Sequence, residues 1–438
     1  MKAESGLPIR SSTPLGSEPQ QTGLRLGETT RQAGMLFSAH TVSMAAGFLS
    51  SIVMARWMEP AEFGRYTLCL TILMLSGLFL EFGIFSAGAR VLALAPDRES
   101  ERRGIGALVL LAFVIGIALS LFIVVAAIPI DLIFHEDVRW VLLAAAALAL
   151  LQPFQQLTEQ CCQGLNRIRT LSIFQLLISL SNLLALIGLA LADALSAVSA
   201  LVSYLTAIGI ASAWTLTRLN PRFDERKRFI KLTLKEARSY GLNVYISRVT
   251  GNISTRFDHL VIAFFLVDLS PLGLYAIAQK LASPILTMAR AVAITRFRAF
   301  TKLSRVPSRI VRWNATLLIT SSAALALFGP FVLGHIFPKY REAAPLLVPF
   351  AAWNLFAGLF QPYNMFLASH GRGRDLRNIT IIVALASSVG LILVVPRFGI
   401  MGAAWTAASA MALDYILTLY YYRSFRRTLM EDETRDVL

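Results

Sequence analysis

The sequence is short of cysteine, histidine and acidic residues, and these shortages exclude several kinds of site. Its 438 residues include 3 cysteines, 5 histidines and 26 aspartates and glutamates. Cys69, Cys161 and Cys162 all lie within apolar runs, so they predict neither a disulfide framework nor a zinc site. No glycine-rich run has the GxxxxGK[ST] pattern of a phosphate-binding loop, so any ATP-driven motion would need a partner. We therefore expect no metal ion and no cofactor.

Apolar side chains, in contrast, are abundant. Hydrophobic residues make up 56% of the chain, more than a soluble domain of this length can bury. Twelve apolar stretches are long enough to cross a bilayer, at roughly 35–55, 66–89, 105–128, 139–161, 171–192, 195–216, 240–266, 272–294, 312–336, 344–368, 378–396 and 400–421. The sequence therefore predicts an all-α polytopic membrane protein with twelve transmembrane helices in two six-helix bundles.

The composition divides the chain into five regions. The first is rich in Ser, Thr, Gly, Pro and Gln and lacks an apolar core, which predicts disorder. The regions are a disordered cytoplasmic tail at 1–32, an N-terminal bundle at 33–217, a basic cytoplasmic linker at 218–238, a C-terminal bundle at 239–422 and a cytoplasmic tail at 423–438.

The linker carries eight lysines and arginines, with apolar residues such as Phe229, Leu232 and Leu234 between them. This pattern suits a short helix that lies on an anionic lipid surface. A solvated linker explains the same residues, and the sequence leaves both interpretations open.

The positive charge of the loops predicts the orientation. If the N-terminus is cytoplasmic, 30 of the 41 lysines and arginines fall on the cytoplasmic side and 6 on the other. This bias follows the positive-inside rule, so both termini are expected in the cytoplasm. The net charge of +15 is then a signal of topology, and we expect no nucleic-acid partner.

Three pairs of landmarks recur in the same order, about 205 residues apart, on either side of the linker. They are Glu62-Phe63-Gly64-Arg65-Tyr66 with Pro271-Leu272-Gly273-Leu274-Tyr275, Ile133-Phe134 with Ile336-Phe337, and Arg167-x-Arg169 with Arg372-x-Arg374. Their common order indicates an internal duplication. Because each unit holds six spans, the halves should be related by an axis along the membrane normal, an arrangement that often places a substrate site between them.

The seventh span is unusually polar. At helical spacing, one stripe contains Gly241, Tyr245, Arg248, Asn252 and Thr255, with Arg256 and His259 at its edge. The next span contributes Gln279 and Lys280. Charges at membrane depth are costly, so they predict a cationic cavity between the halves for an anionic head group such as a lipid pyrophosphate.

The candidate substrate-binding residues are therefore Arg248, Asn252, Arg256 and Lys280. An alternative is that the two arginines reach an interface or pair structurally with a carboxylate on a neighbouring helix. Asp258 is the ion-coupling candidate, and it should point away from Arg256 because two residues turn a helix by about 200°. His259 is expected to be a packing residue.

Several segments resemble the polysaccharide-transporter branch of the multidrug/oligosaccharidyl-lipid/polysaccharide exporter superfamily. They are Ala55 to Tyr66, Arg256-Phe257-Asp258 followed by Gly273-Leu274-Tyr275, Tyr340 to Pro345, and Val395 to Ala404. The resemblance implies a multi-pass protein of the bacterial inner membrane, a transporter rather than an enzyme, that is driven by an ion gradient. Its two bundles would move an undecaprenyl-diphosphate-linked oligosaccharide to the outer leaflet by alternating access.

The implied partners are the lipid-linked oligosaccharide, membrane lipids, a polysaccharide polymerase and export machinery. The family's cationic cavity would map onto Arg248, Arg256 and Lys280.

Two other functions remain as alternatives. One is an ion-coupled multidrug exporter of the same fold, which would favour carboxylates in the cavity for cationic drugs. The other is a membrane-embedded polymerase or glycosyltransferase, which would need a sizeable outer loop with catalytic groups. The nearest candidate is the acidic loop from Asp131 to Asp137, which we interpret as solvated.

Overall fold

The computed structural model describes residues 26–134, 137–266, 268–295 and 305–435, and its regular elements within those ranges are helical. The first half of the chain comprises α1 Leu26–Trp57, α2 Pro60–Glu81, α3 Ile84–Ala93, α4 Arg98–Phe134, α5 Val138–Ala149, α6 Gln152–Gly164, α7 Ile168–Leu191 and α8 Ala197–Leu219.

The linker helix α9, Arg226–Glu236, continues through a π-helical turn at Ala237–Gly241 into the second half. That half comprises α10 Leu242–Phe265, α11 Ser270–Thr295, α12 Ser308–Ile336, a 3₁₀ segment Pro338–Leu346, α13 Leu347–Ser369 and α14 Gly373–Arg435. Most of the predicted tail, and the loop residues His135 and Glu136, lie outside the described residues.

Every predicted apolar stretch overlaps a helix, although several helices are broken. The second stretch spans α2 and α3, which are separated where Phe82 and Gly83 adopt positive φ angles of 47° and 71°. The fourth comprises α5 and α6, bent by 45°, and the last two share α14, which is kinked at Gly399. By length and composition, eight of the described helices could cross a membrane, or nine if the bent pair counts as one span. The number of twelve transmembrane helices therefore stays a prediction.

Side chains on the outer faces of the helices suit a lipid environment. Large apolar residues remain exposed there, for example Val125 at 74%, Leu191 at 77% and Leu327 at 73%. At the start of the chain, α1 begins at Leu26. Residues 26–32 are therefore helical, whereas the sequence places them in a disordered tail.

The linker is docked on the first half. Phe229 and Thr233 of α9 are buried, and Arg103 of α4 contacts Asp224 at 2.7 Å and Glu225 at 2.6 Å. A hydrogen bond from its own backbone, followed by the Arg103 guanidinium, lowers the pKa of Asp224 below its usual range. The linker is therefore packed against the first half through these residues, while most of its other side chains are exposed. Whether it is solvated or contacts lipid through the cationic face of α9 stays a prediction.

The halves meet along α2, which contacts α11 at the far end of the molecule from the linker. A Cβ added at Gly64 would collide with the carbonyl of Leu269, and one at Gly273 with the carbonyl of Pro60. Gly64 and Gly273 are 209 residues apart, as are Pro60 and Leu269, so the two contacts are equivalent under the predicted duplication. Such reciprocity is what a two-fold axis produces.

At the linker end, the first half contacts the second again. Here a Cβ at Gly241 would lie 2.7 Å from the carbonyl oxygen of Gly83. Backbones thus approach each other closely at both ends of α2, and the space between these contacts contains the cavity described below.

We expect Gly64→Ala to lower the thermal unfolding temperature in detergent, because the added methyl meets backbone rather than a side chain that can move. Overpacking of this kind typically costs about 1–3 kcal/mol. Gly188→Ala is the matched control, because Gly188 lies in helix α7 with nothing within 4 Å of an added Cβ. Equal unfolding temperatures for Gly64→Ala and the wild type would contradict the close α2–α11 contact.

Candidate functional site

A cavity of about 430 Å³ lies between the two halves. Helices α1, α2, α7 and α8 of the first half form one wall, and α10 and α11 of the second half form the other. We call this space the central chamber. Its volume falls within the range of roughly 300–1,000 Å³ that is common for ligand sites.

A smaller chamber of about 210 Å³ adjoins it towards the linker end. Met74, Asn252 and Arg256 line both chambers. Glu81, Arg248 and Gln156 line the smaller one. The four predicted substrate-binding residues therefore all line one or the other of these two adjoining chambers.

Arg256 and Lys280 carry the positive charge of the central chamber. Both line its second-half wall. Within the part of the chain that the structure describes, neither side chain has an ion pair or a hydrogen bond with a protein group. The two cations are thus available to an anionic ligand.

Arg248 is in a different situation, because its charge is compensated. Its Nη1 lies 2.9 Å from Oε1 of Glu81 and its Nη2 donates to Oε1 of Gln156 at 2.6 Å. Glu81 is only 2% exposed, whereas the Arg248 side chain is 24% exposed. This contact is the structural pairing that the sequence left open as an alternative, and it connects α10 to α2 and α6 across the two halves.

The other predicted residues have local partners. Asn252 donates from Nδ2 to the carbonyl of Arg248 at 2.9 Å. Asp258 accepts a hydrogen bond from the Tyr275 hydroxyl at 2.8 Å and another from the His259 backbone N–H at 2.9 Å. Asp258 lines neither chamber, and its role in ion coupling stays a prediction.

His259 is more than the packing residue that the sequence predicts. It lines the central chamber; its Nδ1 lies 3.1 Å from Oγ1 of Thr71, and its Nε2 lies 3.3 Å from Oε1 of Gln279. The Thr71 hydroxyl already donates to the carbonyl of Thr67 at 2.8 Å. Through these two contacts the imidazole joins α2 of the first half to α11 of the second.

Most of the first-half residues that line the central chamber were not identified from the sequence. The first-half wall contains Ser50, Ser51, Thr67 and Thr71, in addition to Asn182 and Tyr204. A single serine or threonine in an apolar helix has the same sequence pattern whether it faces lipid or a cavity. The signal that was available is the Ser50-Ser51 pair, followed one helix later by Thr67 and Thr71 at a spacing of four residues.

The fold of this chain is similar to that of solved transporter structures. An inward-facing multidrug resistance MATE family transporter of the MOP superfamily superposes with a TM-score of 0.71 at 15% identity, covering 89% of this chain and 96% of that one. The lipid II flippase MurJ, in an inward closed conformation, gives 0.68 at 13% identity, covering 89% and 87%. The chain therefore shares the fold of these two proteins, and the predicted all-α polytopic membrane class is confirmed.

The family follows from the sequence itself. Residues 29–290 match the model of the polysaccharide biosynthesis protein family, so the chain belongs to that family, and the predicted resemblance is confirmed. A probable low-salt glycan biosynthesis flippase, Agl15 of Haloferax volcanii, is 22% identical in an alignment over 250 residues that covers 54% of this chain. The chain spans about half the length, 52%, of that curated relative.

We expect Arg248→Ala to destabilise the protein, because it would leave the buried Glu81 carboxylate without its positive partner. Breaking such a pair typically costs about 3–5 kcal/mol. The measurement is the thermal unfolding temperature in detergent. The Glu81→Gln/Arg248→Ala double variant should recover most of the loss, since it removes the orphaned charge. No recovery in the double variant would show that Arg248 stabilises the protein by something other than this pair.

Proposed function

We propose that this protein is a transporter that moves a lipid-linked oligosaccharide across the cytoplasmic membrane for polysaccharide biosynthesis. The observation that carries the proposal is that Arg256 and Lys280, on the wall of the central chamber, have no ion pair within the described part of the chain. The substrate class is an oligosaccharide joined to a polyprenyl chain, such as undecaprenol, through a diphosphate.

The energetics favour an anionic ligand for these cations. A charge at membrane depth costs roughly 2.5–3.5 kcal/mol on insertion scales. Arg248 offsets its cost through Glu81, but Arg256 and Lys280 have no such compensation among the described residues. A diphosphate supplies the missing negative charge, and a guanidinium can hold two of its oxygens at once.

The comparisons support the same substrate class. The family is named for polysaccharide biosynthesis, and the relative from Haloferax volcanii is named as a probable glycan biosynthesis flippase. A flippase rather than an enzyme is therefore the activity that we propose. A multidrug exporter of this fold is disfavoured, because the charged side chains of the central chamber are basic and would repel organic cations.

The contacts at the two ends of α2 suggest how the site could be reached from either side. At the far end, Gly64 meets Gly273, and Lys339 lies 2.7 Å from Glu59. At the linker end, Arg248 pairs with Glu81. Both sets join the two halves, so separation of one set while the other stays closed would give alternating access.

The cellular setting is part of the proposal. The distribution of positive charge supports cytoplasmic termini in a bacterial inner membrane. A polysaccharide polymerase and export machinery would then receive the translocated substrate, and Asp258 would be the group that couples transport to an ion gradient.

We expect purified protein to bind undecaprenyl pyrophosphate in nanodiscs with an affinity that falls as salt is raised. Arg256→Gln and Lys280→Gln should each weaken binding at least tenfold, because a hydrogen bond to a charged group is typically worth about 1.5–3 kcal/mol. Equilibrium titration with the lipid measures the effect.

The matched control for this experiment is Arg226→Gln, which removes an exposed arginine of the linker helix and should leave the affinity unchanged. Neither Arg256→Gln nor Lys280→Gln leaves a buried acid unpaired, so the unfolding temperatures should also stay close to the wild type. Unaltered binding by both variants would refute the site, and binding of organic cations instead would favour the multidrug exporter.

Cysteine labelling tests the orientation. We expect Glu225→Cys to react with an impermeant maleimide only from the cytoplasm and Asp268→Cys only from the outside, because the linker carries the positive charge. Background should be low, since Cys69, Cys161 and Cys162 are all buried. The opposite labelling pattern would invert the proposed topology.

A further inference from the structure

The two walls of the central chamber differ in charge. The second-half wall carries the cations Arg256 and Lys280, whereas the described first-half residues that line the chamber include no ionised side chain. The first-half wall is nevertheless polar, because it presents two serines, two threonines, an asparagine and two tyrosines to the space.

The hydroxyls of this wall are arranged as acceptors. Ser50 donates to the carbonyl of Ala46 at 2.9 Å, Ser51 to that of Gly47 at 3.1 Å and Thr67 to that of Phe63 at 2.8 Å. A hydroxyl has one hydrogen and two lone pairs. Once the hydrogen is bonded within the helix, what remains for a ligand is the oxygen's capacity to accept.

Asn182 adds one donor to this wall. Its Oδ1 accepts a hydrogen bond from Ser203 at 3.0 Å, so the Nδ2 amide hydrogens remain for the chamber. The residue is only 9% exposed, which makes an amide without a second partner a costly feature unless a ligand or water meets it. Nearby, the Tyr204 hydroxyl donates to Gln155 at 3.2 Å, which leaves its ring on the chamber wall.

We propose that this first-half wall is the subsite for a neutral sugar attached directly to the pyrophosphate, with Ser51, Thr67 and Asn182 as its binding residues. The inference rests on the proposed function, in which the second-half cations hold the pyrophosphate. Sugar hydroxyls both donate and accept, so they match several acceptors with one amide donor. Phosphate oxygens only accept, so they are poorly matched to this wall and well matched to Arg256 and Lys280 opposite.

The hydrogen-bonding groups of the first-half wall also determine whether the bound sugar is charged or neutral. An acidic sugar would bring a carboxylate against oxygens whose hydrogens are already engaged, with no cation on that wall to offset its charge. The subsite therefore selects an uncharged sugar at the position next to the diphosphate.

The test compares two lipids, undecaprenyl pyrophosphate and undecaprenyl pyrophosphate that bears one glucose, in equilibrium titrations of the full-length protein in nanodiscs. The wild type should bind the glucosylated lipid about tenfold more tightly, since two or three neutral hydrogen bonds are typically worth that much. The Ser51→Ala/Thr67→Val variant should lose most of this preference and keep its affinity for the bare lipid.

Thr206→Val is the matched control. Thr206 is exposed on α8 and donates to the carbonyl of Val202 at 2.8 Å, so it makes the same intrahelical bond as Thr67 without lining the chamber. This variant should retain the preference for the glucosylated lipid. Arg256→Gln should instead weaken the binding of both lipids by a similar factor.

The outcomes separate the subsite from the proposed function. Equal affinity of the wild type for the two lipids would overturn the sugar subsite while leaving the pyrophosphate site intact. Equal weakening of both lipids by Ser51→Ala/Thr67→Val would also overturn it, because the hydroxyls would then act on the head group or the fold. If the wild type binds neither lipid, the proposed function and the subsite fail together. Tighter binding of the lipid carrying glucuronic acid in place of glucose would contradict the selection of a neutral sugar.

Discussion

The structure depends on the placement of Arg256 and Lys280, which have no counter-charge among the described residues, inside a protein that is surrounded by lipid. Arg256 and Lys280 can remain charged there only if they face a hydrated space rather than hydrocarbon. The central chamber provides that space. It lies between α10 and α11 of the second half and the helices of the first half that face them. Arg248 shows the alternative solution on the same helix, since its charge is balanced by Glu81 and closes one end of the space.

The two ends of the cavity are closed by different physics. At the far end, Gly64 and Gly273 bring backbone against backbone in a reciprocal contact, whose opening loses dispersion and close packing. The Lys339–Glu59 pair beside it is exposed, and exposed ion pairs contribute little. At the linker end, the Arg248–Glu81 ion pair spans the halves, and its carboxylate is buried. Opening this end separates the two charges and exposes the carboxylate to water. The far end should therefore respond to small changes in packing, whereas the linker end should respond to the electrostatics around Glu81.

The sequence predicts the parts of the site that depend on local periodicity. Arg248, Asn252, Arg256 and His259 follow one another by three or four residues, so one face of α10 was identifiable without the fold. The partner of Arg248 was not, because Glu81 lies 167 residues earlier and pairs with it only across the two halves. Ser51 and Thr67 were missed for another reason: a hydroxyl that bonds its own helix has the same sequence pattern whether it faces lipid or a cavity. The docking of the linker depends likewise on Arg103, more than a hundred residues away from Asp224.

A division of the substrate between the two walls has a consequence for transport. A ligand shifts a conformational equilibrium only by the difference in its affinity for the two states. If the pyrophosphate lies on the second half and the sugar on the first, binding is strongest when the halves are held at the spacing that fits both. In the empty protein, closing of the chamber would remove water from Arg256 and Lys280, which have no counter-charge among the described residues, and a bound diphosphate offsets that desolvation cost. Loading would then favour the closed chamber over the open one, which is the order of events that a transporter needs to avoid moving without its substrate.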